Sequence, residues 1–194
     1  MKNVLLLLCK GVEIFEAAAF YDVLGWSGVY GSEQVNVVTV GLQSPVVCTF
    51  GLTVVPEKLL ADVKPEEFDA LAIPGGFEGF GFYEHAYSNE VSALIQQFDT
   101  LKKSIASICV GALPVAKSGI LAERTATTYH LLKGKRRKQL ADFEVTVLDQ
   151  PIVQDKNVLT STSPATAVEV ALRLLAQLTG QENADQIRYA MGFE

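Results

Sequence analysis

The chain has 194 residues, 49% hydrophobic and 20% charged, enough for one compact domain with a buried core and unlike a disordered chain. A formal net charge of −6 argues against a nucleic-acid partner. The three cysteines, Cys9, Cys48 and Cys109, show no C-x-x-C spacing, and two histidines are too few for a histidine-rich metal site. No metal or cofactor is therefore expected. The odd cysteine count points to a reducing compartment. Met1-Lys2-Asn3 and the apolar run behind it imitate a signal peptide, but six apolar residues followed by Lys10 are too short for one. No run approaches a membrane span. The expectation is a cytoplasmic protein with no membrane contact.

In chain order, residues 4–8 are a continuous apolar run suited to a parallel strand buried on both faces. A helix follows, with Phe15, Ala19, Val23 and Trp26 at helical spacing, Glu13 and Glu16 in or near its first turn, and Gly28 close to its end. Residues 35–40 read as a second strand. Residues 46–49 and 52–55, parted by Phe50-Gly51, read as a hairpin. A polar connector at 62–67 precedes a third core strand, 70–73, which stops at Pro74-Gly75-Gly76. The glycine- and aromatic-rich segment 77–87 must cover the core, a pocket or a partner chain. Ser88 then caps a helix whose stripe is Val91, Leu94, Ile95, Phe98 and Leu101.

Beyond the segment at 104–116, a β-branched stretch spans 125–129. The basic run 133–138 holds five of the 16 cations and reads as a solvated helix face. Alternation at 144–148 and two short apolar runs at 152–153 and 158–159 follow. The last major helix has Ser163 as N-cap and Pro164 at its first position, presents Val168, Ala171, Leu175 and Leu178, and ends at Gly180. Strands alternating with helices predict a single α/β domain over 1–194 with a mainly parallel sheet. No G-x-G-x-x-G or Walker sequence supports nucleotide binding.

The segment at 104–116 is a short apolar strand, then Cys109, Gly111 and a helical pattern. A strand turning sharply into a helix exposes its corner residue above the sheet, as in a nucleophile elbow. A helix start there favours a thiolate and offers N–H groups to an oxyanion. The same pattern also fits a buried, inert cysteine. In open parallel sheets functional residues gather at the carboxyl ends of strands. Lys10-Gly11, Pro74-Gly75-Gly76 and Cys109 all stand at such ends and are expected to be neighbours.

Four motifs in this order resemble the ThiJ/PfpI superfamily over nearly the whole chain. They are Lys10-Gly11-Val12-Glu13-Ile14-Phe15-Glu16 with Asp22-Val23-Leu24; Asp69-Ala70-Leu71-Ala72-Ile73-Pro74-Gly75-Gly76; Ala106-Ser107-Ile108-Cys109-Val110-Gly111; and Ser163-Pro164-Ala165-Thr166-Ala167. The resemblance implies a flavodoxin-like three-layer sandwich with a small β-hairpin addition, and commonly a homodimer. It implies a nucleophilic Cys109 paired with Glu16, and an oxyanion hole from the backbone N–H groups of Gly76 and Val110. A protonated Glu16 would donate to the thiolate and shuttle a proton; read from position alone, Glu16 only complements a helix dipole. Where many members carry histidine after the cysteine, this chain has Val110. His130 follows Thr127-Thr128-Tyr129 one residue late for the deglycase branch, which leaves it as an accessory candidate. No histidine lies beyond 130, which excludes a glutaminase His-x-Glu pair.

The expectation is thus a cofactor-independent, cysteine-dependent enzyme acting on a small-molecule electrophile, a reactive carbonyl, as glyoxalases or deglycases do. A redox sensor or stress chaperone with an oxidisable Cys109 is the alternative, and a hydratase or amide hydrolase a third. Cys9 is expected to be a packing residue, and Cys48 to lie in a peripheral hairpin, open to oxidation or to a dimer contact.

Overall fold

The structure, a computed structural model, describes residues 1–193. The first apolar run forms β1 (Lys2–Leu8), whose last five residues are buried. It leads through Lys10-Gly11 into α1 (Ile14–Tyr30), and the chain returns as β2 (Val35–Gly41). The expected hairpin, β3 (Val46–Val47) and β4 (Thr53–Val54), stands apart from the main sheet. After it come β5 (Lys58–Leu59), β6 (Ala70–Ile73), α2 (Phe82–Ala86), α3 (Asn89–Thr100), β7 (Ser104–Ser107) and α4 (Ala112–Lys117). The remainder holds β8 (Thr125–Ala126), α5 (Lys135–Ala141), β9 (Thr146–Val147), β10 (Ile152–Asp155), β11 (Val158–Ser161), α6 (Ala167–Thr179) and α7 (Gln181–Ala190).

Seven strands form the main sheet in the order β10-β11-β7-β6-β1-β2-β5. Neighbours are parallel except β10 and β11. The inner strands β2-β1-β6-β7-β11 follow the flavodoxin-like order, in which the direction of winding reverses beside β1. One crossover from β1 runs to β2 and the crossover from β6 runs the opposite way, so right-handed connections put α1 and α3 on opposite faces. Helices α1, α6 and α7 pack together, while α3 packs with α4. The result is the three-layer α/β sandwich expected from the sequence. Leu6 stands opposite Ala72, and Ile73 opposite Ser107, so β1, β6 and β7 end close to one level.

Several local expectations need correction. Phe15 is 58% exposed; α1 buries Ala19 and Val23 as expected, but together with Glu16, Ala17, Phe20, Leu24 and Ser27 rather than Phe15. Leu101 lies past the end of α3 and is exposed, although Ser88 does cap that helix through the Val91 N–H. Ser163 makes no side-chain cap, and Pro164 opens a tight turn ahead of α6. The chain also continues into α7, whose polar sequence gave no helix signal.

Helix α7 is held by one buried amide. Asn183 Oδ1 accepts from Ser32 N–H at 2.8 Å, while its Nδ2 donates to Glu33 O and to Thr179 Oγ1. These bonds tie α7 to the turn between α1 and β2. Asn183→Ala removes these part-buried hydrogen bonds and is expected to cost about 1 kcal/mol. Urea unfolding of the two proteins would measure it, and an unchanged midpoint would contradict this account.

Candidate active site

Three strand ends converge as expected. After β1, the Lys10–Glu13 loop lies against Gly75-Gly76: Glu13 N–H donates to Gly75 O, and Phe77 N–H to Gly11 O. The hairpin braces that loop from the other side. Gly11 N–H donates to Val47 O, Thr49 N–H to Val12 O, and Thr49 Oγ1 to Gly11 O at 2.7 Å. This anchoring fixes the start of α1 and with it Glu16, one turn in.

Glu16 is fully buried. Its Oε2 accepts from Gly75 N–H at 2.6 Å. A side chain at Gly75 would crowd that bond, since a Cβ there would stand 3.0 Å from both Glu16 Oε2 and Val110 N. Oε1 is buried with no partner in hydrogen-bond geometry, and Cys109 is close enough to interact with the carboxyl. Burial pushes the Glu16 carboxyl up to about 8 against the pull of the Gly75 N–H, and the Glu13 charge adds to the rise. Glu16 is therefore protonated at neutral pH, the state in which it donates a proton.

Cys109 sits at the corner between β7 and α4 with φ of +56°, a left-handed conformation that costs a non-glycine residue about 1–3 kcal/mol. The surroundings over-determine it. Gly111 N–H closes the turn on Ile108 O, and Thr128 Oγ1 donates to the Cys109 carbonyl at 2.8 Å. Gly111 has to be glycine, because a Cβ would collide with the Ile73 carbonyl oxygen. Cys109 is 8% exposed. Burial pushes its thiol up, a charged Glu16 would push it further, and the Val110 N–H acts the other way. That net direction opposes the freely formed thiolate expected from the elbow alone. A neutral Glu16 removes the repulsion, so the thiolate is favoured only against the carboxylic acid.

Cys109 opens onto a pocket of about 570 Å³ whose wall includes Glu13, Gly76, Val110, Tyr129, Lys135 and Arg136. The Gly76 N–H donates to no backbone acceptor among the described residues, and the Val110 N–H lies against Cys109. Both expected oxyanion donors thus border the sulfur's pocket. His130 does not: it is exposed and off the pocket wall, where its neighbour Tyr129 stands instead. The one-residue offset turns the histidine away. His85 accepts from Lys10 N–H at 3.1 Å and serves the loop after β1.

Cys9 is buried as a packing residue, its thiol pushed up to about 12 by burial. Cys48 is also fully buried, which corrects the expectation of a peripheral thiol. The aromatic segment divides its work. Phe82 enters the core, Tyr83 stacks with Tyr87 at 4.6 Å, and Phe77 and Phe80 cluster with Phe50. The basic run is only partly solvated, because Arg136 turns onto the pocket wall and its side chain is 16% exposed. Glu13, Lys135 and Arg136 were not singled out as pocket residues from sequence. Their place follows from the close approach of distant loops, which no local pattern records.

An elbow cysteine, a buried carboxylic acid and a flavodoxin-like sheet define the class. The DJ-1/PfpI family model matches residues 2–177, and the chain belongs to that family. Protein dj-1beta of Drosophila melanogaster is 30% identical over 186 residues, covering 96% of this chain and 94% of the relative. Its crystal structure matches with a TM-score of 0.86 at 28% identity, over 98% of this chain and 97% of the other. The glutathione-independent glyoxalase DJR-1.2 of Caenorhabditis elegans is 32% identical over 143 residues, 74% of this chain and 73% of that protein. Oxidized DJ-1 of Toxoplasma gondii matches with a TM-score of 0.81 at 26% identity, covering 98% of each chain. Among the described residues, no helix is long and apolar enough to cross a membrane.

The raised Glu16 carboxyl makes a stability prediction. Its unfolded value is about 4.5 and its folded value about 8, so the folded state holds the proton longer. The stability that this group contributes is full below pH 4.5 and is lost as pH rises to about 8. Glu16→Gln removes the titration. Urea midpoints measured across that range should fall more steeply with pH in the unmodified protein than in the variant; parallel curves would show that Glu16 is charged in the fold.

Proposed function

We propose that this protein is a cofactor-independent, cysteine-dependent enzyme that converts small α-oxoaldehydes, or their adducts, to hydroxy acids. The observation that carries the reading is the strained Cys109 at a pocket floor, beside a buried carboxyl held on one oxygen and unpartnered on the other. The glyoxalase name of the Caenorhabditis elegans relative supports it. The Cys109 thiolate adds to the aldehyde carbon, and the new oxyanion rests on the Gly76 and Val110 N–H groups. Glu16 gives that oxygen its proton, forming a hemithioacetal. The resulting carboxylate removes the former aldehyde hydrogen and returns it to the adjacent carbon, leaving a thioester. The Glu16 carboxylate takes a proton from the water that hydrolyses the thioester, so the hydroxy acid leaves, the sulfur departs as the thiolate and Glu16 regains its proton.

Lactate formation from methylglyoxal without glutathione tests the scheme. Cys109→Ser is expected to abolish turnover, and Glu16→Gln to lower kcat by about a hundredfold or more. Activity should also fall above a pH of about 8, where Glu16 loses its proton. Turnover that survives Cys109→Ser would overturn the reading.

The similarity to an oxidized DJ-1 favours one second reading, in which Cys109 senses peroxide. Two peroxide molecules would oxidise the thiolate through sulfenic to sulfinic acid, each leaving one water. In this reading the unpartnered Glu16 carboxyl oxygen would donate to a sulfinate oxygen. A stable gain of two oxygens at Cys109, in a protein without turnover, would select this reading over the first.

A further inference from the structure

The wall of the Cys109 pocket carries a charge arrangement that the carbonyl chemistry does not use. Lys135 and Arg136, on α5, share the wall with the carboxylates of Glu13 and Glu78. Arg136 is held on every side. Its NH1 donates to Gln139 Oε1 at 2.8 Å, its NH2 to Glu78 Oε2 at 2.7 Å, and its guanidinium lies 5.2 Å from the centre of the Tyr83 ring. Lys135 Nζ reaches the same Glu78 oxygen at 3.1 Å. Glu78, in contrast, is 55% exposed on its side chain and sits on a one-turn segment, Glu78–Phe80, before Gly81.

The two halves of this ion cluster therefore differ in burial and in the number of partners that hold them. Arg136 is largely dehydrated and fixed by packing, so its ordering cost is met in the fold. Glu78 is tethered mainly by exposed ion pairs, which are worth about 0–1 kcal/mol each. With Glu78 in place, two cations on the wall meet two carboxylates. With Glu78 turned out to solvent, Lys135 and Arg136 outweigh Glu13 and the wall becomes an anion site. Arg136 holds Glu78 through NH2 alone, with NH1 on Gln139, and the same NH2 can donate to another carboxylate that takes the place of Glu78.

We propose that Arg136, assisted by Lys135, is a carboxylate-binding subsite of the Cys109 pocket, occupied in the resting protein by Glu78 as an internal stand-in. The preferred substrate is then a small reactive carbonyl compound that bears a carboxylate. It displaces Glu78 and is oriented with its carbonyl carbon toward the sulfur. This rests on Cys109 being the nucleophile, and it adds a specificity that the nucleophile alone does not supply.

The test separates the two ideas by using alkylation rather than turnover. Iodoacetate and iodoacetamide are similar in size and both alkylate thiolates, but only iodoacetate is an anion. Their rates at Cys109, located by peptide mass and corrected with Cys109→Ser, give a ratio that reports anion recruitment. Arg136→Gln should lower the iodoacetate-to-iodoacetamide ratio about fivefold, Arg136→Lys should lower it less, and Glu78→Gln should raise it about threefold. Iodoacetamide is the control for an intact site in every variant. A ratio unmoved by Arg136→Gln and by Glu78→Gln, with iodoacetamide still reacting, overturns the subsite and leaves the nucleophile standing. Failure of both reagents in the unmodified protein overturns the nucleophile and the subsite together. Should Arg136→Gln misfold, a ratio in Glu78→Gln that stays level or falls overturns the subsite.

Discussion

The bond from Gly75 N–H to the buried Glu16 carboxyl is the constraint on which the site depends. A carboxyl with no exposure would be costly as an ion. Burial answers this by keeping the proton on Glu16 through neutral pH, and the single N–H holds the group's orientation without forcing it to ionise. The second oxygen is left without a partner, in a carboxyl that interacts with Cys109. A second backbone donor on Oε1 would favour the carboxylate, which repels a thiolate. The half-satisfied state of Glu16 is therefore what gives the pair its chemistry.

The same bond ties together three parts of the chain. Gly75 belongs to the end of β6, Glu16 to the first turns of α1, and the Val110 N–H that packs against Gly75 belongs to the elbow after β7. Because these strands are adjacent and parallel, their carboxyl ends arrive on one side of the sheet. The hairpin adds what the sheet lacks. By bonding to the backbone of Gly11 and Val12 it holds the loop that begins α1, and so fixes the depth at which Glu16 enters.

Strain at Cys109 is stored against this frame. Left-handed backbone at a non-glycine residue persists only where neighbours leave no alternative. Here Thr128 binds the Cys109 carbonyl, and Gly111 packs on the end of β6. Thr128 comes from the loop after β8, so a segment outside the main sheet helps hold Cys109 in place. Cys109 is thus held by its surroundings, whereas Glu78, on the same pocket wall, sits on an exposed turn.

Much of this was legible in the chain itself. Continuous apolar runs at 4–8 and 70–73 specify buried parallel strands, since only such strands are apolar on both faces. The apolar strand running into Cys109 and Gly111 announces a corner, and Ser88 announces a helix start, because both are local backbone requirements. The motif resemblance added Glu16. Other features depended on which segments meet. Phe15 and Glu16 are adjacent, and only the packing of α1 on the sheet decides that the carboxyl goes inward and the ring outward. Helix α7 is too polar to declare itself, and Asn183 ties it to Ser32 and Glu33, about 150 residues away in sequence. His130 misses the pocket by one residue, while Arg136, in a run that reads as solvated, is drawn in by Tyr83 and Glu78. Sequence determined the strands and the corner that carries Cys109, because those follow from hydrophobic pattern and backbone geometry over a few residues. Tertiary structure alone decided the protonation of Glu16 and the charges around Cys109, because burial and electrostatics are set by neighbours distant along the chain.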